Sequence, residues 1–153
     1  MRLTDLGYLG YDYPDEWPIE RPRVLLAGSH TNRFQLDTVD GVAEWAAMIP
    51  GDGLVYLGEH KRPFTISMFH QLRCLDIIRA DLVRERSGDA DLPSALTRHC
   101  LNYMRQIVLC RGDTYLESFQ YPNNKDPIDK EALYECRDWE AVYDEVKRKG
   151  IVV

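Results

Sequence analysis

The chain has 153 residues, a formal net charge of −6 at pH 7, 44% hydrophobic and 29% charged residues, a composition typical of one ordinary globular domain. Nucleic acid is not expected as a partner, because phosphate binding needs a concentrated basic face and the lysines and arginines here are scattered. No apolar run approaches the roughly 20 residues of a membrane span, and the first residues lack the apolar segment of a signal peptide. We therefore expect a soluble single domain over residues 1–153, with no membrane span.

The N-terminal part, residues 1–36, is rich in tyrosine, tryptophan, proline and glycine. This composition predicts an extended irregular segment that its aromatic side chains anchor to a core. Arg23–Ala27 is a candidate strand within it. Val39–Ile49 is predicted as a helix, because apolar residues recur at helical spacing before Pro50 and Gly51 stop it. Leu54–Leu57, between two glycines, is a second candidate strand. The fold is therefore expected to contain, at most, a short β-strand pair.

Two long helices are the clearest prediction. The first runs from Phe64 to about Arg86 and ends at a Ser-Gly-Asp turn. The second runs from about residue 92 to Cys110, with Asp91 or Ser94 as its N-cap. Helices joined by a short loop are usually antiparallel neighbours. The expected fold class is therefore mainly α, with a helical hairpin as the core of residues 37–150.

The C-terminal part is predicted to contain a loop and a last helix. Residues 113–129 are predicted as loop, with a turn at Pro122-Asn-Asn124. The last helix is predicted from about Asp138 to Lys149, ending at Gly150. Its inward face is expected to hold four side chains: Trp139, Val142, Tyr143 and Val146. No repeat or linker interrupts the chain.

Histidines and cysteines recur on the two long helices. His70 and Cys74 are four residues apart and therefore share one face of the first helix. A stripe at helical spacing follows the second helix: His99, Tyr103, Gln106 and Cys110. If the hairpin turns at Gly88, His70 and His99 are offset by on the order of 10 Å along the axis, so the sequence permits a shared cleft without requiring one. Tyr103 and Gln106 are most simply a packing residue and a hydrogen-bonding residue, and both are candidates for substrate binding.

Two interpretations of the histidine pair remain open on the residues alone. Imidazole is the commonest metal ligand and the natural proton shuttle near neutral pH, which favours a metal site or an acid/base pair. The alternative, more common for an isolated pair, is two histidines hydrogen-bonded to a carbonyl or a carboxylate. Asp113 either orients a histidine or caps the turn after Gly112, and the spacing favours the cap. His30 and His60 have no partner motif and are expected to be solvated.

Several segments together resemble a known family. They are His70-Gln-Leu-Arg-Cys-Leu75, His99-Cys-Leu-Asn-Tyr-Met-Arg-Gln106, Cys110-Arg-Gly-Asp-Thr-Tyr-Leu-Glu117, Phe64-Thr-Ile-Ser-Met-Phe69 and Glu135-Cys-Arg-Asp-Trp139. They resemble the UstYa-like proteins of fungal secondary-metabolite biosynthesis, which are marked by two His-x-x-His-Cys motifs. The resemblance spans about residues 40–145 through separate anchors, so it is specific.

The resemblance implies a tailoring enzyme that hydroxylates, dehydrogenates or cyclises a peptide, polyketide or related small-molecule intermediate. It implies a histidine-bound metal, copper in the usual supposition, here at His70 and His99. It also implies an N-terminal membrane helix that places the domain in the secretory lumen, and this sequence shows no such helix. Pairing with a second copy or with a related family member is a further expectation.

The sequence departs from the family pattern at two positions. Arg73 stands where the first motif has its second histidine, and Leu96 stands where the second motif has its first. Neither side chain ligates a metal, and two imidazoles are fewer than the three or four ligands that a redox metal normally needs. The cofactor expectation is therefore copper or none. The alternatives are a non-redox isomerase, dehydratase or cyclase, with His70 and His99 as acid and base and Arg73 holding an anion, or a non-catalytic subunit.

The four cysteines can form two disulfide bonds or remain as free thiols. No CxxC pattern is present, so zinc-ribbon and thioredoxin-like readings lack support. From the residues alone, four reduced thiols are the more common outcome. Cys74 and Cys100 are expected to face each other across the hairpin, and Cys110 and Cys136 both lie near loops. Because the luminal setting of the family favours bridges, we expect at least one disulfide.

Overall fold

The computed structural model describes residues 7–28, 31–88, 93–118 and 133–149. Helices dominate the regular structure of these residues, as the sequence indicated, and they are accompanied by two small sheets. In chain order the elements are β1 (Arg23–Ala27), α1 (Val39–Ala47), β2 (Leu54–Leu57), β3 (Arg62–Thr65), α2 (Ser67–Arg86), α3 (Ala95–Arg111), β4 (Leu133–Arg137) and α4 (Glu140–Lys149).

The two predicted strands are present, but they do not pair with each other. β1 pairs antiparallel with β4, which places Val24 opposite Cys136. β2 pairs antiparallel with β3, which places Val55 opposite Phe64 and Tyr56 opposite Pro63. Sequence reasoning missed β3 and β4. A proline normally argues against a strand, and it is tolerated here because β3 lies at the edge of a two-stranded sheet.

α1 is fixed at its start by a side-chain cap and a close backbone approach. The hydroxyl of Thr38 accepts the N–H of Gly41 at 3.1 Å, the usual device for a helix N-terminus. A Cβ on Gly41 would lie 2.3 Å from the carbonyl oxygen of Gln35, so only glycine fits there. The sequence predicted that this helix ends at Ile49, whereas in the structure it ends at Ala47.

The two long helices begin later than predicted. α2 starts at Ser67 instead of Phe64, because Phe64 and Thr65 are held in β3. α3 starts at Ala95 with Ser94 as its cap: the Ser94 hydroxyl accepts the N–H of Thr97 at 3.0 Å. The other candidate cap, Asp91, lies outside the described residues. The two helices pack against each other, and Gly112, in the left-handed region with φ 52°, ends α3.

The buried core joins β2, α2 and α4. Its members are Val55, Leu57, Phe69, Val142 and Val146. The ring of Phe69 meets that of Tyr143 edge-on, with centroids 5.3 Å apart. Half-buried side chains of the N-terminal segment, among them Tyr8 and Trp17, pack against this core. One apolar cluster therefore holds together the β2–β3 sheet, α2, α4 and the N-terminal segment.

The C-terminal elements also differ slightly from the prediction. Asp138 was expected to begin α4, but its carboxylate accepts the N–H groups of Glu140 and Ala141 and so caps the helix from outside. Residues 113–118 have no regular structure, as predicted, and the turn at residues 122–124 lies outside the described residues. Within the described residues, no helix combines the length and the apolar character that a membrane crossing requires.

Candidate functional site

His70, Tyr103 and His99 form a stacked group between α2 and α3, here called the imidazole face. The ring of His70 lies 4.1 Å from that of Tyr103 and 6.2 Å from that of His99, centroid to centroid, with interplanar angles of 22° in both pairs. The rings of His99 and Tyr103 are almost parallel, at 6.5 Å. Two residues of one helix thus flank one residue of the other.

The register of the two helices explains why the histidines are close. His70 lies against Tyr103, with the two ring centroids 4.1 Å apart. His99 is one turn before Tyr103, and four residues rise roughly 6 Å along a helix. The expected offset of on the order of 10 Å was therefore too large, and the ring separation is 6.2 Å.

The imidazole face opens to solvent on one side. His99 is exposed, while His70 and Tyr103 are half-buried. Gln106, the other candidate for substrate binding, is exposed one turn further along α3. A molecule approaching from solvent would therefore meet His99 first and reach His70 along the edge of Tyr103.

Cys74 and Cys100 lie together beneath this face. Each is 1% exposed, and the Cys100 thiol is close enough to influence the titration of Cys74. Burial, together with the neighbouring Cys100 thiol, raises the pKa of Cys74 to about 12. A thiol and not a thiolate is therefore present at neutral pH, and Cys74 packs as a small buried side chain.

No disulfide is present among the four cysteines, all of which lie within the described residues. Cys110 is exposed and Cys136 is half-buried. The structure therefore contains none of the bridges that the family setting favours. A bridge between Cys74 and Cys100 stays a prediction for protein made in an oxidising compartment.

Arg73, one of the two departures from the family pattern, contacts the turn before β2. Its guanidinium donates to the carbonyl oxygen of Asp52 at 2.6 Å and so ties α2 to the turn before β2. Leu96, the other departure, lies in the first turn of α3 and is 54% exposed. In this conformation Arg73 links two elements, and its role in holding an anion beside His70 stays a prediction.

Asp113 acts as a turn residue. Its carboxylate accepts the N–H of Tyr115 at 3.0 Å, directly after the glycine that ends α3. This contact agrees with the capping role that the spacing favours, and a role for Asp113 in orienting a histidine stays a prediction. His60 is exposed in the turn between β2 and β3, and His30 lies outside the described residues.

The residues at the imidazole face do not by themselves make a copper site. In the part of the chain that the structure describes, no group of three or more His, Cys, Asp or Glu side chains is arranged to hold a metal ion. Two imidazoles and a protonated thiol are fewer donors than a redox metal normally needs. The substitutions at positions 73 and 96 account for the deficit, because the family pattern would place imidazoles there.

The sequence analysis assigned no role to two arginines that lie outside the histidine motifs. Arg111 and Arg137 lie with Arg21 around one cavity. Arg111 was noticed only as part of a family segment, and Arg137 follows the half-buried Cys136 in a strand that was not predicted. No local pattern could have joined them, because the three arginines come from distant parts of the chain.

The fold and the site define a mainly helical protein in which two motif-bearing helices place a histidine and a buried cysteine each at their contact. The family model described as mycotoxin biosynthesis protein UstYa matches residues 40–144, so the chain belongs to the UstYa family. No solved structure matches it.

Relatives carry oxidase names. The chain is 38% identical over 80 residues to UstYa family oxidase phomYb of Diaporthe leptostromiformis, covering 51% of this chain and 32% of that protein. It is 35% identical over 85 residues to oxidase ustYa of Aspergillus flavus, covering 54% of this chain and 39% of that protein. Oxidase ustYb of the same species is 26% identical over 181 residues, covering 92% and 68%. The matches to the first two relatives thus span only about a third of their length.

Proposed function

We propose that this chain is a tailoring enzyme of fungal secondary-metabolite biosynthesis that oxidises or cyclises a peptide or polyketide-type intermediate. Membership of the UstYa family and the oxidase names of its relatives support the reaction class. The observation that carries the proposal is the imidazole face, where His70 and His99 approach within 6.2 Å on the contact of the two motif helices. The finer fold assignment is part of this proposal: residues 1–153 form one domain, in which the pair of α2 and α3 carries both motifs.

The geometry suits a substrate that the two histidines contact at two different atoms. The accessible His99 would contact the intermediate first, and the half-buried His70 would exchange a proton at a second position. Tyr103, stacked on His70 at 4.1 Å, fixes the plane of that imidazole and offers its phenol as a hydrogen-bonding group. The electrons removed from the intermediate pass in this proposal to molecular oxygen.

Copper is implied by the family resemblance and would supply one-electron redox chemistry. Among the described residues no third donor joins His70 and His99, so the ligand set of copper is incomplete there. This observation favours a second candidate function, in which the chain is a non-redox isomerase, dehydratase or cyclase. In that case His70 and His99 act as general acid and base on neighbouring atoms of the same intermediate.

One experiment separates the two candidates. Protein purified without chelator is assayed for bound metal and then offered intermediates from the neighbouring biosynthetic genes, with and without oxygen. The oxidative function requires oxygen and is abolished when oxygen is removed. The acid/base function survives both chelation and anaerobic conditions.

Variants identify the residues. His70→Ala and His99→Ala should each lower the rate by about 10²–10⁴-fold under the acid/base function, the usual loss for a positioned acid or base. Under the oxidative function they should also lower metal content. His60→Ala is the matched control, because His60 is exposed in a distant turn. An effect of His60→Ala equal to that of His99→Ala would contradict both assignments.

A further inference from the structure

An aromatic cavity lies between the N-terminal segment, the β2–β3 sheet and the start of α2. Its volume is about 320 Å³, at the lower end of the range for small-molecule sites, roughly 300–1,000 Å³. The rings of Tyr8, Tyr13, Trp17 and Phe64 contribute to its walls, and the buried Val55 contributes to its floor. The ring centroids of Tyr13 and Phe64 are 5.1 Å apart, so the walls support one another.

Three arginines meet beside this aromatic cavity. A second cavity of about 400 Å³ shares Arg21 and Arg111 with it and adds Arg137. Glu16 is the single acidic residue that lines the second cavity, and it pairs with Arg21 at 3.0 Å. Among the described residues, no ion pair or hydrogen bond engages the side chain of Arg111 or Arg137.

The charge around the two cavities is opposite in sign to the net charge of the chain. The whole chain carries −6, yet the two cavities together are lined by three guanidinium groups and two carboxylates, those of Asp15 and Glu16. Arg111 and Arg137 are exposed, and a guanidinium stays protonated in proteins, so the cluster is an accessible positive site that attracts an anion. The planar guanidinium fork matches a carboxylate through two parallel hydrogen bonds.

We propose that the two cavities form one binding site for an intermediate with an aromatic or apolar body and a carboxylate group. The body lies among Tyr8, Tyr13 and Trp17, and the carboxylate binds Arg111 and Arg137. Arg111 is eight residues beyond Tyr103 on α3, roughly 12 Å of helix rise. Ser67, which lines the aromatic cavity, is three residues before His70. The site is therefore separate from the imidazole face, and it is near enough for an extended molecule to reach both.

Two matched probes test this assignment: N-acetyl-L-phenylalanine and its amide, which share the aromatic body and differ in the carboxylate. Calorimetric titration of the full chain should show the acid binding at least about tenfold more tightly than the amide, since a charge-assisted hydrogen bond is worth more than a factor of ten. Arg111→Gln and Arg137→Gln should remove most of that difference and leave the binding of the amide unchanged. Trp17→Leu should weaken both probes.

Arg105→Gln is the control, because Arg105 is an exposed arginine of the same helix that pairs only with Asn102 among the described residues. Equal affinity for acid and amide, or equal behaviour of Arg105→Gln and Arg111→Gln, would overturn the proposal. Inorganic phosphate binding as tightly as the acid would show that the aromatic cavity contributes nothing and would overturn it too. Circular dichroism and the thermal midpoint of each variant show whether it is folded.

The assignment does not rest on the proposed reaction. The titration needs neither metal nor turnover. A negative result would therefore not contradict the function proposed for the imidazole face. Conversely, His99→Ala should bind N-acetyl-L-phenylalanine like the wild type. Loss of probe binding in His99→Ala would contradict the separation of the two sites.

Discussion

The carboxylate of Asp81 on α2 accepts the backbone N–H of Ser94, the residue that caps α3, at 2.8 Å. One side chain thus fixes the start of the neighbouring helix. The hydrogen bond from the Thr97 hydroxyl, followed by that from the Ser94 backbone, lowers the pKa of Asp81 from 3.8 to about 2. Because both motif histidines depend on the register of α2 and α3, this contact supports the imidazole face from a distance.

Acid should therefore weaken the contact between α2 and α3. A lowered carboxyl pKa contributes stability that is fully present above pH 3.8 and is lost as the pH falls towards about 2. Asp81→Asn should lose this part of the pH dependence, so its thermal midpoint should fall less than that of the wild type across this window. Asp144→Asn, an exposed carboxylate of α4, is the control. Identical slopes for Asp81→Asn and wild type would contradict the role of Asp81.

Truncating the core ring of α2 should cost much of the stability. Phe69 is 1% exposed and contacts Tyr143 edge-on, so Phe69→Ala leaves a cavity between α2 and α4. We expect the free energy of unfolding to fall by about 3–5 kcal/mol, measured by urea denaturation. Leu116→Ala, at a position that is 92% exposed, should change it by less than about 0.5 kcal/mol. Similar losses for both variants would show that Phe69 is not in the core.

The large elements were predictable from the sequence because their signals are periodic. α2 and α3 have apolar and histidine/cysteine stripes at helical spacing over many turns, and Gly88 and Gly112 mark their ends. The first residues of the two long helices were harder to predict. Phe64 and Thr65 fit a helix as well as a strand, and only the pairing of β3 with β2 decides between them.

The remote contacts were not predictable. β4 pairs with β1 across most of the chain, and neither strand contains a pattern that names its partner. The family motifs indicated that His70 and His99 share a site, but the register that stacks Tyr103 on His70 depends on how α2 and α3 pack. The hydrogen bond from Arg73 to the Asp52 carbonyl likewise depends on where the turn before β2 lies.

The four thiols should differ strongly in reactivity. The raised pKa of Cys74 leaves almost no thiolate at pH 8, and both Cys74 and Cys100 are shielded from solvent. Alkylation of reduced native protein with iodoacetamide, followed by peptide mass spectrometry, should label the exposed Cys110 first and Cys74 last. In urea all four should react at similar rates. Equal labelling of Cys74 and Cys110 in the native protein would contradict the burial of Cys74.

Expression in an oxidising compartment should join at least one pair of cysteines. Cys74 and Cys100 are the favoured pair, because both are buried on the two packed helices and the Cys100 thiol is close enough to raise the pKa of Cys74. Thiol titration of denatured, unreduced protein should then find fewer than four free thiols, and a Cys100→Ser variant should lose the bridge. Cys136→Ser, a half-buried cysteine of β4, is the control for this pair. Four free thiols in the oxidised wild type would reject the bridge.

Restoring the two family histidines is the sharpest test of what the site has lost. Arg73→His with Leu96→His would place two more imidazoles one turn from His70 and His99. With four imidazoles available, we expect Cu²⁺ binding to appear or to tighten by more than about tenfold, measured by competition with a chelator of known affinity. The control is Arg73→Gln with Leu96→Gln, which removes the same side chains and the hydrogen bond to Asp52 but supplies no imidazole. Equal copper affinity of both double variants would mean that these positions do not face the histidine pair, and the metal site implied by the family pattern would then have no place on this helix contact.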